Sequence, residues 1–376
     1  MLSLATFGAG FVTRPIGAIV IGAYSDRVGR KPAMLLCFAL IGVSITAMAL
    51  IPSYATIGLA APILAVIARM VQGFSLGGEL GSNTAYLLEA APVEERGLAV
   101  SWQAASQMVA IVIGSAVGAI LSALLSPAAL GSYGWRIAFL LGAATLPFGL
   151  WLRTNLPETL HLPDTVVAAT PVAGTRLAQM AGSWKILAIG LVVLCCIGIS
   201  NYVQLYFVTY AQDTLGMSAT AAFWGTMLAS LLAVGAALGG GALSDRVGRR
   251  PVNIATTLAF LLATYPSFWW LITTRSDLAL ISGIVVVTVL GNVAVGAFYA
   301  GLAELLPKAI RGGAFGTAYA IAMAVCGGTT QFVITWLIHV TGSPFAPAWF
   351  LSTTLAVWLV AAWLMPESAP RKLARV

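Results

Sequence analysis

Two segments of this chain read almost alike: Gly-Ala-Tyr-Ser-Asp-Arg-Val-Gly-Arg-Lys-Pro at residues 22–32 and Gly-Ala-Leu-Ser-Asp-Arg-Val-Gly-Arg-Arg-Pro at residues 241–251. Their identical core, Ser-Asp-Arg-Val-Gly-Arg, recurs at an offset of 219 residues in a chain of 376. A charged loop repeated at matching places in two halves of an apolar chain indicates duplicated bundles of membrane helices.

The composition of the chain places it in a lipid bilayer. Hydrophobic residues make up 60% of the sequence and charged residues only 8%, whereas about a quarter of an average soluble domain is charged. Apolar stretches of about 20 residues, the length that crosses about 30 Å of hydrocarbon, follow one another along the chain. We therefore predict an all-α integral membrane protein with eleven spans, at about 4–21, 33–51, 58–86, 98–123, 135–152, 186–208, 219–241, 252–272, 278–303, 314–338 and 345–364.

The basic residues indicate topology. The 19 lysines and arginines give a net charge of +7, and most of them fall in alternate loops, whereas the opposite loops hold only Arg136 and Arg275. By the positive-inside rule the basic loops face the cytoplasm. This predicts a multi-pass protein of the cell (inner) membrane with a cytoplasmic linker and C-terminus, and it makes nucleic acid an unexpected partner.

A second repeat divides the chain. Glu-Ala-Ala-Pro at 89–92 precedes Arg96, and Glu-Leu-Leu-Pro at 304–307 precedes Arg311. The long polar stretch between these repeats contains several prolines and reads as a linker. We predict a five-span bundle at 1–153, a cytoplasmic linker at 154–184, a six-span bundle at 185–366 and a cytoplasmic tail at 367–376. Two spans precede the repeated loop in the second bundle and one in the first, so the first bundle is expected to lack one helix.

No catalytic or cofactor-binding pattern is found. Cys37, Cys195, Cys196 and Cys326 lie in apolar spans, where a free cysteine behaves as a small hydrophobe. The sequence offers no Ser/His/Asp set, no metal-ligand spacing and no glycine-rich nucleotide loop. We predict no enzyme, no metal and no cofactor.

Several motifs in order resemble a known family. The repeated loop matches G-x-x-x-D-R-x-G-R-[KR], the signature of the major facilitator superfamily. Arg-Pro-Ile-Gly at 14–17, Gly-Gly-Glu at 77–79 and Gly-Trp-Arg at 134–136 resemble its metabolite:proton symporters. Ser-Trp-Gln at 101–103 is most similar to the citrate or tricarboxylate branch, with 2-oxoglutarate permeases next.

The resemblance implies a fold and an activity. The fold would be two pseudo-symmetric helix bundles, with the first of the usual twelve spans missing here. The activity would be proton-coupled import of citrate, another tricarboxylate or a dicarboxylate by alternating access. The expected partners are a small organic anion and the bilayer, the coupling ion is a proton, and we expect a monomer.

Three ionisable residues lie deep in predicted spans. A charge at the centre of a membrane helix costs about 2.5–3.5 kcal/mol. Arg14, Arg69 and Glu79 are therefore expected either to serve a function or to form a stabilising contact. The two arginines could bind a carboxylate substrate, or could pair with Glu79 or cap carbonyl groups. Glu79 could carry the coupled proton, or could form a structural pair at the Gly77-Gly78 crossing.

Polar side chains on apolar helices extend the predicted substrate site, with interhelical hydrogen bonding as the alternative. With the two arginines, the predicted substrate-binding residues are Arg14, Arg69, Gln103, Gln107, Asn201, Tyr202, Tyr206, Asn292, Tyr299 and Gln331.

The resemblance also gives the repeated charged loops a role as a conformational gate. In the family, the loop aspartate anchors this gate against the end of a neighbouring helix. The predicted gate residues are Asp26, Arg27, Arg30, Glu89, Arg96, Asp245, Arg246, Arg249, Glu304 and Arg311.

Three other functions stay open at this point. A proline/betaine-type osmolyte:proton symporter would need aromatic faces for a quaternary ammonium, which Tyr202, Trp224 and Phe298 could supply. The chain could also be a truncated, non-transporting remnant. An integral membrane enzyme is the third alternative.

Overall fold

The structure is a computed structural model that describes residues 2–159, 179, 182–217 and 219–373. The described elements are helical. In the first half the helices of nine residues or more are α1 (Leu2–Val28), α2 (Arg30–Leu50), α3 (Ala60–Ala90), α4 (Arg96–Leu124), α5 (Trp135–Ala144) and α6 (Leu146–Thr154). In the second half they are α7 (Trp184–Thr209), α8 (Ala219–Val247), α9 (Arg249–Thr274), α10 (Asp277–Leu305), α11 (Arg311–Ala322), α12 (Gly328–Thr341) and α13 (Ala346–Leu364).

Short π-helices join some of these helices into longer spans. Leu130–Gly134 leads into α5, Met323–Gly327 joins α11 to α12, and Tyr210–Thr214 extends α7. Hydropathy alone gives no sign of them, because a π-turn changes the hydrogen-bond register and not the composition.

The structure does not confirm the expected number of spans. In the described part of the chain, ten helices are long and apolar enough to cross a membrane. The expected span at 4–21 lies inside α1, but α1 is not among the ten, so the predicted eleven is not confirmed.

Glu89 also belongs to α3, which continues four residues beyond the predicted end at 86. Most of the predicted linker and the end of the tail lie outside the described residues.

The contacts divide the chain into two compact units that mix elements of the two predicted bundles. Unit 1 comprises residues 1–90, 116–184 and 306–324, so it includes α11 from the second half of the sequence. Unit 2 comprises residues 91–115, 185–305 and 325–376, so it includes the first part of α4 from the first half.

Glycines let α1 and α3 pack closely within unit 1. A Cβ atom added at Gly73 would contact the Gly10 carbonyl, and one at Gly77 would contact the Arg14 carbonyl. Small residues permit such close approach in membrane bundles, where packing replaces the hydrophobic effect as the force between helices. This crossing fixes the position of the Arg14 backbone against α3.

Gly77→Ala should destabilise the protein by about 1–3 kcal/mol, because the added methyl group meets backbone that cannot rotate away. The matched control is Gly118→Ala in α4, where an added Cβ has no heavy atom within 4 Å and alanine favours the helix. Thermal unfolding in detergent measures both variants. Equal melting temperatures for the two variants would contradict the close crossing.

Candidate functional site

One buried group of charges lies where α1, α2, α3 and α11 end or begin. This first charge cluster consists of Asp26, Arg30, Glu89 and Arg311, all in unit 1. Arg30 pairs with Asp26 through Nη1 and donates to Glu89 from Nε and Nη2, at 3.3 and 3.2 Å. Arg311 Nη1 lies 3.2 Å from Glu89 Oε1. The Arg30 side chain is fully buried, so its charge depends on these carboxylates rather than on water.

One carboxylate of this cluster and one next to it also bind the starts of helices. Asp26 Oδ2 accepts a hydrogen bond from the Gly313 amide, 2.8 Å away, in the first turn of α11. Glu158 accepts from the amides of Arg30 and Lys31, at 2.9 and 3.0 Å, in the first turn of α2. The first amides of a helix have no internal acceptor and carry its positive dipole end, so a carboxylate is a favourable partner.

A second charge cluster in unit 2 has the same design. It consists of Asp245, Arg249 and Glu304, and the Arg249 guanidinium bridges the two carboxylates at 2.7 and 2.9 Å. Asp245 accepts from the amides of Gly97 and Leu98, at 2.8 and 2.9 Å, at the start of α4. The three charged side chains are at most 7% exposed.

Glu367 lies next to the second charge cluster and corresponds to Glu158 beside the first. Its carboxylate accepts from the amides of Arg249 and Arg250, at 2.9 and 3.2 Å, in the first turn of α9, as Glu158 does at α2. The glycine before each of these helices has a positive φ, 139° at Gly29 and 117° at Gly248. A Cβ at Gly248 would lie 2.6 Å from Glu367 Oε2, so the turn requires glycine for its conformation and for space.

The two clusters join helix ends through charge-assisted hydrogen bonds. Such contacts are directional and dry when formed, and water can replace them when the helix ends separate. A set of helix ends held in this way can exist in two discrete arrangements, closed or hydrated.

The clusters include seven of the ten predicted gate residues. Arg27 and Arg246 are exposed and do not belong to the buried clusters. Arg96 is half-buried, its Nε has no hydrogen-bond partner, and it makes no ion pair with a described residue. The second cluster therefore lacks the counterpart of the Arg311–Glu89 pair.

Sequence reasoning missed Glu158, Glu367 and Arg153. The first two belong to a third repeat, Leu-Pro-Glu-Thr at 156–159 and Met-Pro-Glu-Ser at 365–368. A comparison of the ends of the two predicted bundles reveals this third repeat. The prolines near its first copy instead favoured the prediction of a linker. The sequence predicts Arg153 to be one of the basic residues of a loop, but in the structure it lies inside α6.

The intramembrane carboxylate has a partner from another helix of unit 1. Arg153 Nη2 lies 2.8 Å from Glu79 Oε1, with side chains 16% and 18% exposed. Asn83 donates to the same oxygen at 3.2 Å, and Arg153 also donates to the Met34 carbonyl at 2.8 Å. The Arg153 guanidinium lies 4.5 Å from the centre of the Phe38 ring. Neither Arg14 nor Arg69 is therefore the partner of Glu79.

The two intramembrane arginines make no ion pair with a described residue. Arg14 stacks on Phe11 with its guanidinium carbon 4.3 Å from the ring centre, and its buried Nε has no hydrogen-bond partner. Arg69 donates to the Gln72 side chain at 2.9 Å. A Cβ at Gly10, one turn before Arg14, would lie 3.2 Å from the Arg69 carbonyl, so the two arginines lie within one to two turns along the α1–α3 pair.

The other predicted substrate residues belong to unit 2 and differ in exposure. Tyr206 is buried with its hydroxyl 3.3 Å from Thr335 Oγ1, and Asn292 is buried and donates to the Thr288 carbonyl at 2.9 Å. Tyr299 is also buried. The remaining predicted side chains in this unit are half-exposed or exposed, namely Gln103, Gln107, Asn201, Tyr202 and Gln331.

The helical fold, the apolar surface and the paired charge clusters define a membrane transporter built from repeated bundles. A family model described as Major Facilitator Superfamily matches residues 1–330 and 191–375, and the chain belongs to this superfamily. The solved proton:xylose symporter XylE from E. coli superposes with a TM-score of 0.80, covering 97% of this chain and 86% of that one at 18% identity. This likeness concerns the fold alone.

Two curated relatives are similar in sequence. The citrate-proton symporter of Klebsiella pneumoniae is 38% identical over 96% of this chain and 81% of its own length. The putative proline/betaine transporter of Staphylococcus aureus strain COL is 30% identical over 99% of this chain and 80% of its own length. The predicted resemblance is confirmed by the family model, and the prediction of a transporter rather than an enzyme is confirmed because the relatives are named as transporters.

Proposed function

We propose that the chain is a proton-coupled symporter that carries citrate or a related organic acid anion across the cell membrane by alternating access. The observation that carries the proposal is the pair of intramembrane cations, Arg14 and Arg69, without a carboxylate partner among the described residues. The carboxylate on α3, Glu79, already pairs with Arg153. A polyanionic substrate would neutralise the two free cations.

The chemistry of arginine fits such a substrate. A guanidinium binds a carboxylate through two parallel hydrogen bonds, and Arg14 and Arg69 lie within one to two turns of each other. Two carboxylates of one tricarboxylate can be bound at that spacing. The similarity to a citrate-proton symporter, at 38% identity, supports the same substrate class.

The osmolyte alternative has weaker support. The proline/betaine relative is less similar, at 30% identity. Of the aromatic residues that could form a cage for a quaternary ammonium, Phe298 is 1% exposed, and its ring packs 6.4 Å from that of Tyr299. In this arrangement the Phe298 ring is covered by its neighbours and presents no open face to a ligand. The organic-anion function is therefore favoured.

Glu79 is proposed as the group that carries the coupled proton. Its pair with Arg153 is not fully enclosed by protein, since the two side chains are 16% and 18% exposed. Protonation of the carboxylate would release Arg153, which also binds the Met34 carbonyl. Protonation of Glu79 would therefore change how α6 is held against α2 and α3 within unit 1.

Glu79→Gln should abolish citrate accumulation driven by a proton gradient while it preserves exchange of citrate at equal pH, because the amide cannot change charge. Proteoliposomes with an imposed gradient measure the first activity, and counterflow measures the second. Glu94→Gln, at an exposed residue, is the matched control for both. Gradient-driven accumulation at the wild-type level would exclude Glu79 from coupling.

The two charge clusters are proposed as the conformational gate on the predicted cytoplasmic side. Asp26 and Asp245 have equivalent roles, since each pairs with the arginine four residues later and binds the start of another helix. Alternating access requires that these contacts break and re-form in each cycle.

Asp26→Asn should lower the maximal transport rate at least ten-fold while the equilibrium Kd for citrate changes by less than three-fold. The amide keeps the shape of the side chain but loses the charge that pairs with Arg30 and attracts the α11 amides. Uptake kinetics and calorimetric binding of citrate separate the two quantities, with exposed Asp277→Asn as the control. A large loss of binding would contradict a role confined to gating.

A further inference from the structure

Three buried polar atoms on two helices of unit 2 have no hydrogen-bond partner among the described residues. They are the hydroxyl oxygen of Ser200 and the amide nitrogen of Gln204 on α7, and the hydroxyl oxygen of Thr257 on α9. Ser200 and Thr257 are 2% and 0% exposed. Because burying a polar group without a partner is unfavourable, such atoms indicate a partner that the chain itself does not supply.

Other hydroxyl groups of unit 2 bond to their own helix. Thr226, Thr256 and Thr264 each donate to the carbonyl four residues earlier, at 2.7–2.9 Å. A serine or threonine inside a helix can ordinarily form this bond, whereas Ser200 and Thr257 do not form it. Their hydroxyl groups are therefore available to a ligand.

The Gln204 amide lies beside Gly291 of α10. A Cβ atom added at Gly291 would lie 3.3 Å from Gln204 Nε2 and 3.3 Å from the nearest carbon of the Phe260 ring on α9. Ser200 precedes Gln204 by four residues, so it lies one turn away on the same face of α7. The two unpaired groups of α7 therefore lie on the face that meets α10.

Thr257 faces the same stretch of α10 from α9. Asn253 donates to the Ala294 carbonyl at 3.2 Å, and the Phe260 ring lies beside Gly291. Residues 253, 257 and 260 follow one another at spacings of four and three, so they share one face of α9. Thr257 therefore lies between these two contacts and faces residues 291–294.

The space beside Gly291 has the size of one small group. The position that a Cβ would take keeps 3.3 Å or more from the side chains of Gln204 and Phe260. An oxygen atom at this place needs to move only roughly a few tenths of an ångström toward Gln204 Nε2 to accept a normal N–H···O hydrogen bond. Glycine at this position thus leaves room for an oxygen atom next to an unpaired donor.

The three helices offer neutral partners to a ligand. From residue 186 to 212, from 251 to 274 and from 278 to 303 the sequence contains no charged residue. A carboxylate would be unfavourable here without a cation. A neutral hydroxyl group fits, because the Gln204 amide donates while the hydroxyl groups of Ser200 and Thr257 both donate and accept.

We propose that Ser200, Gln204 and Thr257 form a hydroxyl subsite, which binds the alcohol group of a hydroxy acid anion beside Gly291. The inference rests on the proposed function, since it specifies the transported anion as a hydroxy acid rather than its deoxy analogue. A buried site with hydrogen-bonding groups rejects an analogue that lacks the hydroxyl group, because the polar atoms of the protein then stay unpaired. The hydroxyl subsite thus determines specificity among organic acids.

Titration calorimetry of the full chain with citrate and with tricarballylate, which is citrate without its hydroxyl group, tests the proposal. The wild type should bind citrate at least ten-fold more tightly than tricarballylate. Gln204→Leu should raise the Kd for citrate at least five-fold and change the Kd for tricarballylate less than two-fold, because leucine has a similar shape but no donor. This selective loss distinguishes hydroxyl binding from a general disturbance of the helices.

Two pairs of variants provide matched controls. Thr257→Val should raise the Kd for citrate at least three-fold, whereas Thr264→Val should not, since the equally buried Thr264 hydroxyl is bonded within α9. Gly291→Ala should raise this Kd at least five-fold by placing a methyl group in the space, whereas Gly283→Ala, where an added Cβ has no heavy atom within 4 Å, should leave it unchanged. Without substrate, Gln204→Leu should melt at the wild-type temperature or above it, because an unpaired donor is removed.

Equal Kd values for the two anions in the wild type, or equal weakening of both by Gln204→Leu, would overturn the hydroxyl subsite and leave the proposed function intact. If the wild type binds neither anion, the proposed function and this inference fail together. Should Gln204→Leu not fold, Thr257→Val decides, and an unchanged preference for citrate in that variant would contradict the subsite.

Discussion

Arg249→Met should lower the free energy of unfolding by about 3–5 kcal/mol, the cost of leaving buried carboxylates without their cation. Arg249 pairs with Asp245 and Glu304, and the three side chains are at most 7% exposed. Arg96, which corresponds to Arg311 in the repeat, makes no ion pair with a described residue. Methionine keeps an unbranched apolar stem in place of the arginine stem, so the loss reports mainly the guanidinium group and its charge.

The equivalent substitution in the first charge cluster, Arg30→Met, should lower the free energy of unfolding by less than Arg249→Met does. Arg30→Met removes the Arg30 pair of Asp26, but Glu89 keeps the contact with Arg311 at 3.2 Å. Reversible unfolding in mixed micelles measures both variants, and Arg246→Met, at an exposed neighbour, should change stability by less than about 0.5 kcal/mol.

A rescue variant identifies the cause. If unpaired charge is responsible, adding Glu304→Gln to Arg249→Met should recover part of the lost stability, because one of the two orphaned carboxylates is neutralised. A double variant less stable than Arg249→Met, or an Arg249→Met protein as stable as the wild type, would contradict this account of the second charge cluster.

Arg14→Gln should raise the Kd for citrate at least 30-fold. Losing one partner of a buried charge pair costs about 2–5 kcal/mol, which corresponds to a factor of about 30 or more. Arg14→Lys should give an intermediate Kd, because an ammonium keeps the charge but not the bidentate geometry. Titration calorimetry measures the three proteins, with exposed Arg27→Gln as the control.

Stability without substrate distinguishes binding from a structural role. If the role of Arg14 is to bind the substrate anion, Arg14→Gln should leave the melting temperature of the substrate-free protein unchanged or raise it. The substitution removes an uncompensated charge from the hydrocarbon region. A lower melting temperature together with an unchanged Kd would show that Arg14 supports the helix packing around Phe11 instead.

The repeated loop predicted much of the fold because each copy combines several local rules. Asp26 and Arg30 are four residues apart on adjoining helices, Gly29 adopts a positive φ between them, and the pattern recurs at Asp245, Gly248 and Arg249. The repeat itself is visible in the sequence, but the ion pair within each copy depends on the glycine turn that brings the two helix ends together. The regular succession of apolar stretches predicted the helices.

Partners from distant helices could not be predicted in this way. Glu79 and Arg153 are 74 residues apart, and only the packing of α6 near α2 and α3 brings them within 2.8 Å. Glu158 and Glu367 lie just after helix ends, where composition resembles a loop, and their role depends on which helix starts beside them. The grouping of α11 with unit 1 and of the first part of α4 with unit 2 is likewise a property of tertiary contacts.

The most direct test of the proposed function is uptake of radiolabelled citrate by proteoliposomes that contain the full chain, with an inward proton gradient and with or without a proton ionophore. The account predicts that citrate accumulates above its external concentration only when the gradient is intact, and that unlabelled proline does not compete. Failure to accumulate citrate under an intact gradient, or inhibition of uptake by proline at equal concentration, would contradict it.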